Sequence, residues 1–206
     1  MPSCRTAQIV VACLCGAVIV QAADLTQAQA EAFARKVTLV AIQGVLTTES
    51  VDASPSLEPR RTAFTEAELN SFFAYRGQDL LPEGVSDARV TILDEGRVRG
   101  TATVDLEAMG KAAATGGTFN PWSYLSGRVP VTVSGVLHTA DGVGRFELES
   151  AVVSGVPVPR PLVRDLVAYY SRAADTPDGV RLDGPFPLPA SIRRIEVAQG
   201  QAVVIQ

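Results

Sequence analysis

Residues 128–172, RVPVTVSGVLHTADGVGRFELESAVVSGVPVPRPLVRDLVAYYSR, decide the fold. In the first third, Val129, Val131, Val133, Gly135 and Leu137 share one face, and Arg128, Thr132, Ser134 and His138 share the other. A period of two marks a strand with one buried and one wet side. Asp141-Gly142 supplies the positive-φ pair that a two-residue hairpin turn favours. The return strand is expected over 143–154, with Phe146, Leu148 and Val152 set against Arg145, Glu147 and Glu149. Pro159 and Pro161 then prepare a helix start, and Leu162, Val163, Leu166, Val167 and Tyr170 follow at helical spacing. A sheet that curls around such a helix encloses either a packed core or a container.

The same alternation recurs upstream. Val90 and Ile92 alternate with Arg89 and Thr91, Glu95-Gly96 makes a turn, and Val98, Gly100, Ala102, Val104 and Leu106 return against Arg97, Arg99, Thr101, Thr103 and Asp105. Gly100 and Gly135 interrupt otherwise regular strands, where glycine permits bulges and sharp coiling. Ahead of this hairpin, Thr65 and Glu68 form a capping box, with Phe64 and Leu69 spaced as a hydrophobic staple and Gly77 as the stop. The C-terminus reads as short strands over 179–183, 192–197 and 202–206, with Pro185, Pro187 and Pro189 breaking the ladder between them. Together these patterns predict an α+β fold: a strongly curved antiparallel sheet of long hairpins wrapped on two or three helices.

The N-terminus gives an address. Residues 1–5 are a short basic region, 7–20 are almost wholly apolar, and Val20-Gln21-Ala22 fits a signal-peptidase site. The apolar run is short for a membrane span of about 20 residues. Residues 1–22 therefore read as a cleaved signal peptide, with an uncleaved anchor, or a lipobox at Val10-Val11-Ala12-Cys13, as alternatives. Residues 23–63 follow as an N-terminal helix and polar linker, the helix drawn over 26–46 although 37–42 also suits a strand; 64–206 form a single curved-sheet domain. The expected location is periplasmic or secreted. Cys4, Cys13 and Cys15 all lie in the leader, so the mature chain holds no disulfide, thiolate metal site or cysteine nucleophile.

A formal charge of −4 excludes the basic stripe of a nucleic-acid binder. His138 is the sole histidine, and Ser134, four residues away on the same strand face, lies about 13 Å from it, too far for a triad. No G-x-S-x-G elbow, EF-hand spacing or P-loop is present. Glu147 and Glu149 share a strand face and are expected to pair with arginines such as Arg128 across the hairpin. The reading is therefore non-catalytic, with no metal, cofactor or nucleic acid.

What remains is apolar. Phe72, Phe73, Ala102, Val131, Val133, Phe146, Leu148, Leu166 and Tyr170 are the candidate walls of a cavity for a lipid or amphiphile, and Trp122 in the loop FNPWSYL is a candidate for transient membrane contact. The alternative is a structural or assembly protein of the envelope whose same residues fill a core.

The phrases FTEAELNSFFAY, LPEGVSDARVTI, VRGTATVDL, DGVGRFELESAVVSGVPVP and LPASIRRIEVAQGQAVVIQ, spread over 64–206, resemble bacterial envelope proteins of the LmeA and YpmS kind, which are TULIP-like. The resemblance implies a curved sheet wrapped on helices, an enclosed acyl-chain site, export, and no catalytic residues. It carries no lipid-contacting residue over to a particular position here.

Overall fold

A computed structural model of the chain describes residues 24–49, 59–108, 127–170, 178 and 181–206, without the side chains of 46–49, 169 and 170. The leader, residues 50–58 of the linker and the loop bearing Trp122 lie outside the described residues, as does the side chain of Tyr170.

The fold is α+β. Helix α1 (Gln27–Glu49) leads to strand β1 (Arg61–Thr65) and helix α2 (Glu66–Tyr75). Strands β2 (Val85–Ile92), β3 (Arg97–Asp105), β4 (Arg128–Ala140), β5 (Val143–Val153) and β6 (Val156–Pro157) follow, then helix α3 (Arg160–Tyr170). Strands β7 (Pro185–Pro187), β8 (Arg194–Ala198) and β9 (Gln201–Ile205) complete the chain. A six-stranded antiparallel sheet runs β2-β3-β4-β5-β6 with β7 added to β5, and a three-stranded sheet runs β1-β9-β8. The turn dipeptides act as read: Glu95-Gly96 and Asp141-Gly142 both take positive φ. Ser154-Gly155 does the same between β5 and β6, so the return strand ends at Val153 rather than running to 154.

Register decides which apolar residues share a face. Val131 opposes Val153 and Val133 opposes Ala151, but Gly135 opposes Leu148, so Glu149 is an extra, bulged residue. The bulge switches the parity of β5. Phe146 and Leu148 therefore share the inner face with Ala151 and Val153, not with Val152 as strict alternation predicts. The adjacent polar pair Glu149-Ser150 is the sequence trace of this switch. On β3, Val98, Gly100, Ala102 and Val104 oppose Gly135, Val133, Val131 and Val129, so all four join the same face. A second bulge, between Ser86 and Arg89, places Asp87 at φ 53°.

Side chains close the free sheet edges. The Asn70 carboxamide bonds both backbone groups of Val90, and the Glu66 carboxylate accepts from the Ile92 N–H at 2.7 Å. Thr139 Oγ1 accepts from the Ile195 N–H and donates to its carbonyl, and Lys36 Nζ donates to the Ala63 carbonyl at 2.7 Å. Unpaired strand edges template aggregation, and these contacts blunt them.

Two elements differ from expectation. The proline segment forms a strand after all: β7 pairs with β5 from its outer side, where a strand can lack N–H donors. Residues 182 and 183, read as strand, lie in a turn. Helix α1 forms throughout, including 37–42, because Val40 and Phe33 on one helical face pack with Phe64 and Val204 of the small sheet and with Ile192 just before β8. The helix read as preceding the domain thus belongs to a core cluster of it. The capping box of α2 forms as expected. Gly77 has φ −93° and so is no left-handed cap; it lies close against the rings of Phe72 and Phe73.

Candidate functional site: an apolar groove

Helix α3 lies across the inner face of the large sheet near the far ends of β4 and β5. Its N-terminus is set by Pro159, whose carbonyl accepts from the Val163 N–H at 3.2 Å. Arg160 Nε donates to the carbonyl of the bulged Glu149 at 3.1 Å, and Arg164 pairs with Asp183 at 2.9 Å. Val163 is buried against Leu148 and Ala151, with Val133, Phe146, Val158, Val167 and Leu182 packed around them. Helical spacing puts Leu162, Val163, Leu166 and Val167 on the sheet-facing side.

A groove adjoins that packed cluster and shares Val133, Ala151, Val158, Val163 and Val167 with it. The groove, of about 330 Å³, is lined by strand residues from Val104 to Val153, including Val129, Val131, Val133 and Ala151, and by Val158 and the four α3 residues. All twelve described lining residues, Leu106 among them, are apolar. At a rise of about 3.3 Å per residue, Val129 to Val133 gives a floor about 13 Å long. Three strands from β3 to β5 make it about 10 Å wide. No Cβ at Gly100 would meet a neighbour within 4 Å, whereas one at Gly135 would collide with the Phe146 ring. The two strand glycines are diagonal neighbours on this face, Gly100 opposing Val133 and Gly135 opposing Val98, yet the space above the first is open and that above the second is filled.

The candidate residues divide accordingly. Val131, Val133 and Leu166 line the groove, and Ala102 lies on the same sheet face as the register partner of Val131 without lining it. Phe146 and Leu148 belong to the packed cluster at the closed end, because the Glu149 bulge tucks them under α3. Phe72 and Phe73 sit elsewhere: Phe72 stacks against Phe33 of α1 at 4.9 Å between ring centres, and Phe73 adjoins Phe72 at 6.2 Å. Val104, Leu106, Val129, Ala151, Val153, Val158, Leu162, Val163 and Val167 are lining residues absent from the candidate set. Most already stood on the apolar side of their elements, and only the long-range register showed which rows adjoin.

The polar side chains make mundane pairs. His138 faces Glu147 at 3.7 Å, Glu149 faces Arg97 at 3.8 Å, and Arg128 pairs with Asp105 at 3.6 Å, so Arg128 serves its own cross-strand partner rather than the glutamates of β5. Ser134 Oγ accepts from Arg99 Nε at 3.4 Å. The Ala108 N–H bonded to Asp105 holds that carboxyl below its usual range, and burial works against this; the Glu107 N–H and Arg128 add to the lowering. Among the described residues no three His, Cys, Asp or Glu side chains gather as metal ligands would, and no helix is long and apolar enough to cross a membrane. Comparison with protein-family models, curated proteins and solved structures finds no match.

Proposed function

We propose that the chain is an exported, non-catalytic envelope protein that binds a lipid or other amphiphile in the groove between the coiled sheet and α3. The observation that carries this reading is the lining: twelve described residues, all apolar, around a volume within the range of small-molecule sites, which begins at about 300 Å³. Such a surface left to water is costly and asks for an apolar occupant. Leu162, one of the lining residues, is an exposed large apolar side chain. Among the described residues the wall offers no ionisable group to act as acid or base. Asp105, which follows the lining residue Val104, is held ionised rather than raised toward neutrality as a buried catalytic carboxylate would be. The leader and the resemblance to TULIP-like envelope proteins support the same reading.

Protein purified from the exported fraction and examined by native mass spectrometry and solvent extraction should carry lipid, with an N-terminus near Ala23 or Asp24. If no lipid is found and a fluorescent fatty acid does not bind at micromolar concentration, the lipid reading fails and a filled-core assembly protein of the envelope replaces it. Soluble cytosolic protein with intact Met1 would overturn export.

A further inference from the structure

A second cleft lies on the small sheet, on the face opposite α1. Arg61 of β1 and Arg194 of β8 are both register partners of Ile205 on the central strand β9, so they stand on either side of it. Ile205 is buried and forms part of the floor. The tip of the β4–β5 hairpin, Ala140 and Asp141, forms another wall with Arg193, enclosing about 280 Å³. This tip is pinned: the Gly142 N–H donates to the Arg193 carbonyl at 2.9 Å, and the Leu188 N–H donates to the Gly142 carbonyl at 2.8 Å.

Charge in the cleft is unbalanced. One carboxylate, Glu196, accepts from both Arg61 and Arg194, which orients two guanidinium groups around a single acceptor. The side chain of Arg193 has no hydrogen-bond or ion-pair partner among the described residues, and neither has that of neighbouring Arg60. Among the described residues three arginines line the cleft against Asp141, with Glu196 as the one carboxylate paired to them, in a chain whose net charge is −4. Each guanidinium offers five donors in a fixed fork, and Glu196 occupies few of them. That fork geometry matches tetrahedral and planar oxyanions, and phosphate above all.

We propose that this cleft is a phosphate-type oxyanion site, with Arg193 and the free donors of Arg61 and Arg194 as its ligands. It is separate from the apolar groove and does not depend on what fills that groove. The anion is either a free phosphate compound or the head group of an anionic phospholipid. Isothermal titration of the full chain with inorganic phosphate tests the shared chemistry. Saturable binding is expected, weakened about tenfold in Arg193→Gln, less weakened in Arg193→Lys, and weakened by added salt. Arg97→Gln, which alters an arginine outside the cleft, should bind as the wild type does.

Sedimentation with phosphatidylcholine vesicles, with and without phosphatidylglycerol, distinguishes the sources. A head-group site gives a phosphatidylglycerol preference that Arg193→Gln abolishes and phosphate competes away; a site for free phosphate compounds gives titration binding without vesicle preference. Absence of both signals in the wild type overturns the proposal. So does equal behaviour of wild type and Arg193→Gln with matching thermal unfolding.

Discussion

Asn70 holds Val90 as a neighbouring strand would: its Nδ2 donates to the Val90 carbonyl at 2.8 Å and its Oδ1 accepts from the Val90 N–H at 2.7 Å. Asn70 is buried on α2, so a helix side chain supplies the pairing that the edge of β2 otherwise lacks. Asn70→Ala strands both backbone groups of Val90 away from water, a loss of about 1–3 kcal/mol per unsatisfied group. Urea unfolding should show a lower midpoint, and light scattering should show association through the bared edge. Asn70→Asp keeps the acceptor, loses the donor and brings two oxygens together, so it should be destabilised as well.

Acid should loosen the α1–α2 junction. Burial pushes the Glu68 pKa up, but the hydrogen bonds from Lys36 and the Thr65 N–H, with the Lys36 charge, outweigh it and hold the carboxyl below its ordinary 4.5. Lys36 Nζ meets the two carboxylate oxygens at 2.7 and 2.8 Å. A folded pKa below the unfolded one means that the unfolded chain binds more protons between the two values. The stabilisation is therefore complete above the unfolded value and is lost as pH falls through the folded one. Thermal unfolding across pH 3–7 should show this loss, and Glu68→Gln should flatten that part of the profile while lowering stability at pH 7.

The two strand glycines should respond oppositely to alanine. At Gly135 a methyl group would overlap the Phe146 ring and lie 2.5 Å from the Glu147 carbonyl oxygen, so Gly135→Ala should lose about 1–3 kcal/mol. At Gly100 nothing lies within 4 Å, and Gly100→Ala should be neutral or more stable by about 0.4–1 kcal/mol. Equal effects in denaturant unfolding would contradict the assigned packing of this face.

Filling the groove should separate binding from folding. Val131→Trp places a large ring on the groove floor, and Ala102→Trp crowds the same face from β3. Fatty-acid binding should fall at least tenfold in Val131→Trp, with a smaller effect in Ala102→Trp. Both should keep a cooperative thermal transition. A variant on the α1–α2 side, Phe72→Leu, should leave binding unchanged, because Phe72 packs on Phe33.

The strands, their turns and the α2 cap were legible in the chain because each depends on neighbours within a few residues. A period of two sorts Val129 to Leu137 to one face, the dipeptides Glu95-Gly96 and Asp141-Gly142 accept positive φ, and Thr65 meets Glu68 one turn later. Tertiary structure alone decided which rows of apolar residues meet. The Glu149 bulge moved Ala151 and Val153 onto the inner face and sent Phe146 and Leu148 into the packed end under α3. Pairing of β1 with β9 across more than a hundred residues set Arg61 beside Ile205, opposite Arg194 of the local β8–β9 hairpin, and docking of α2 brought Asn70 to the edge of β2. Local patterns fix faces and turns. Register and docking depend on the free energy of the whole assembled core, and no short window of sequence encodes that sum.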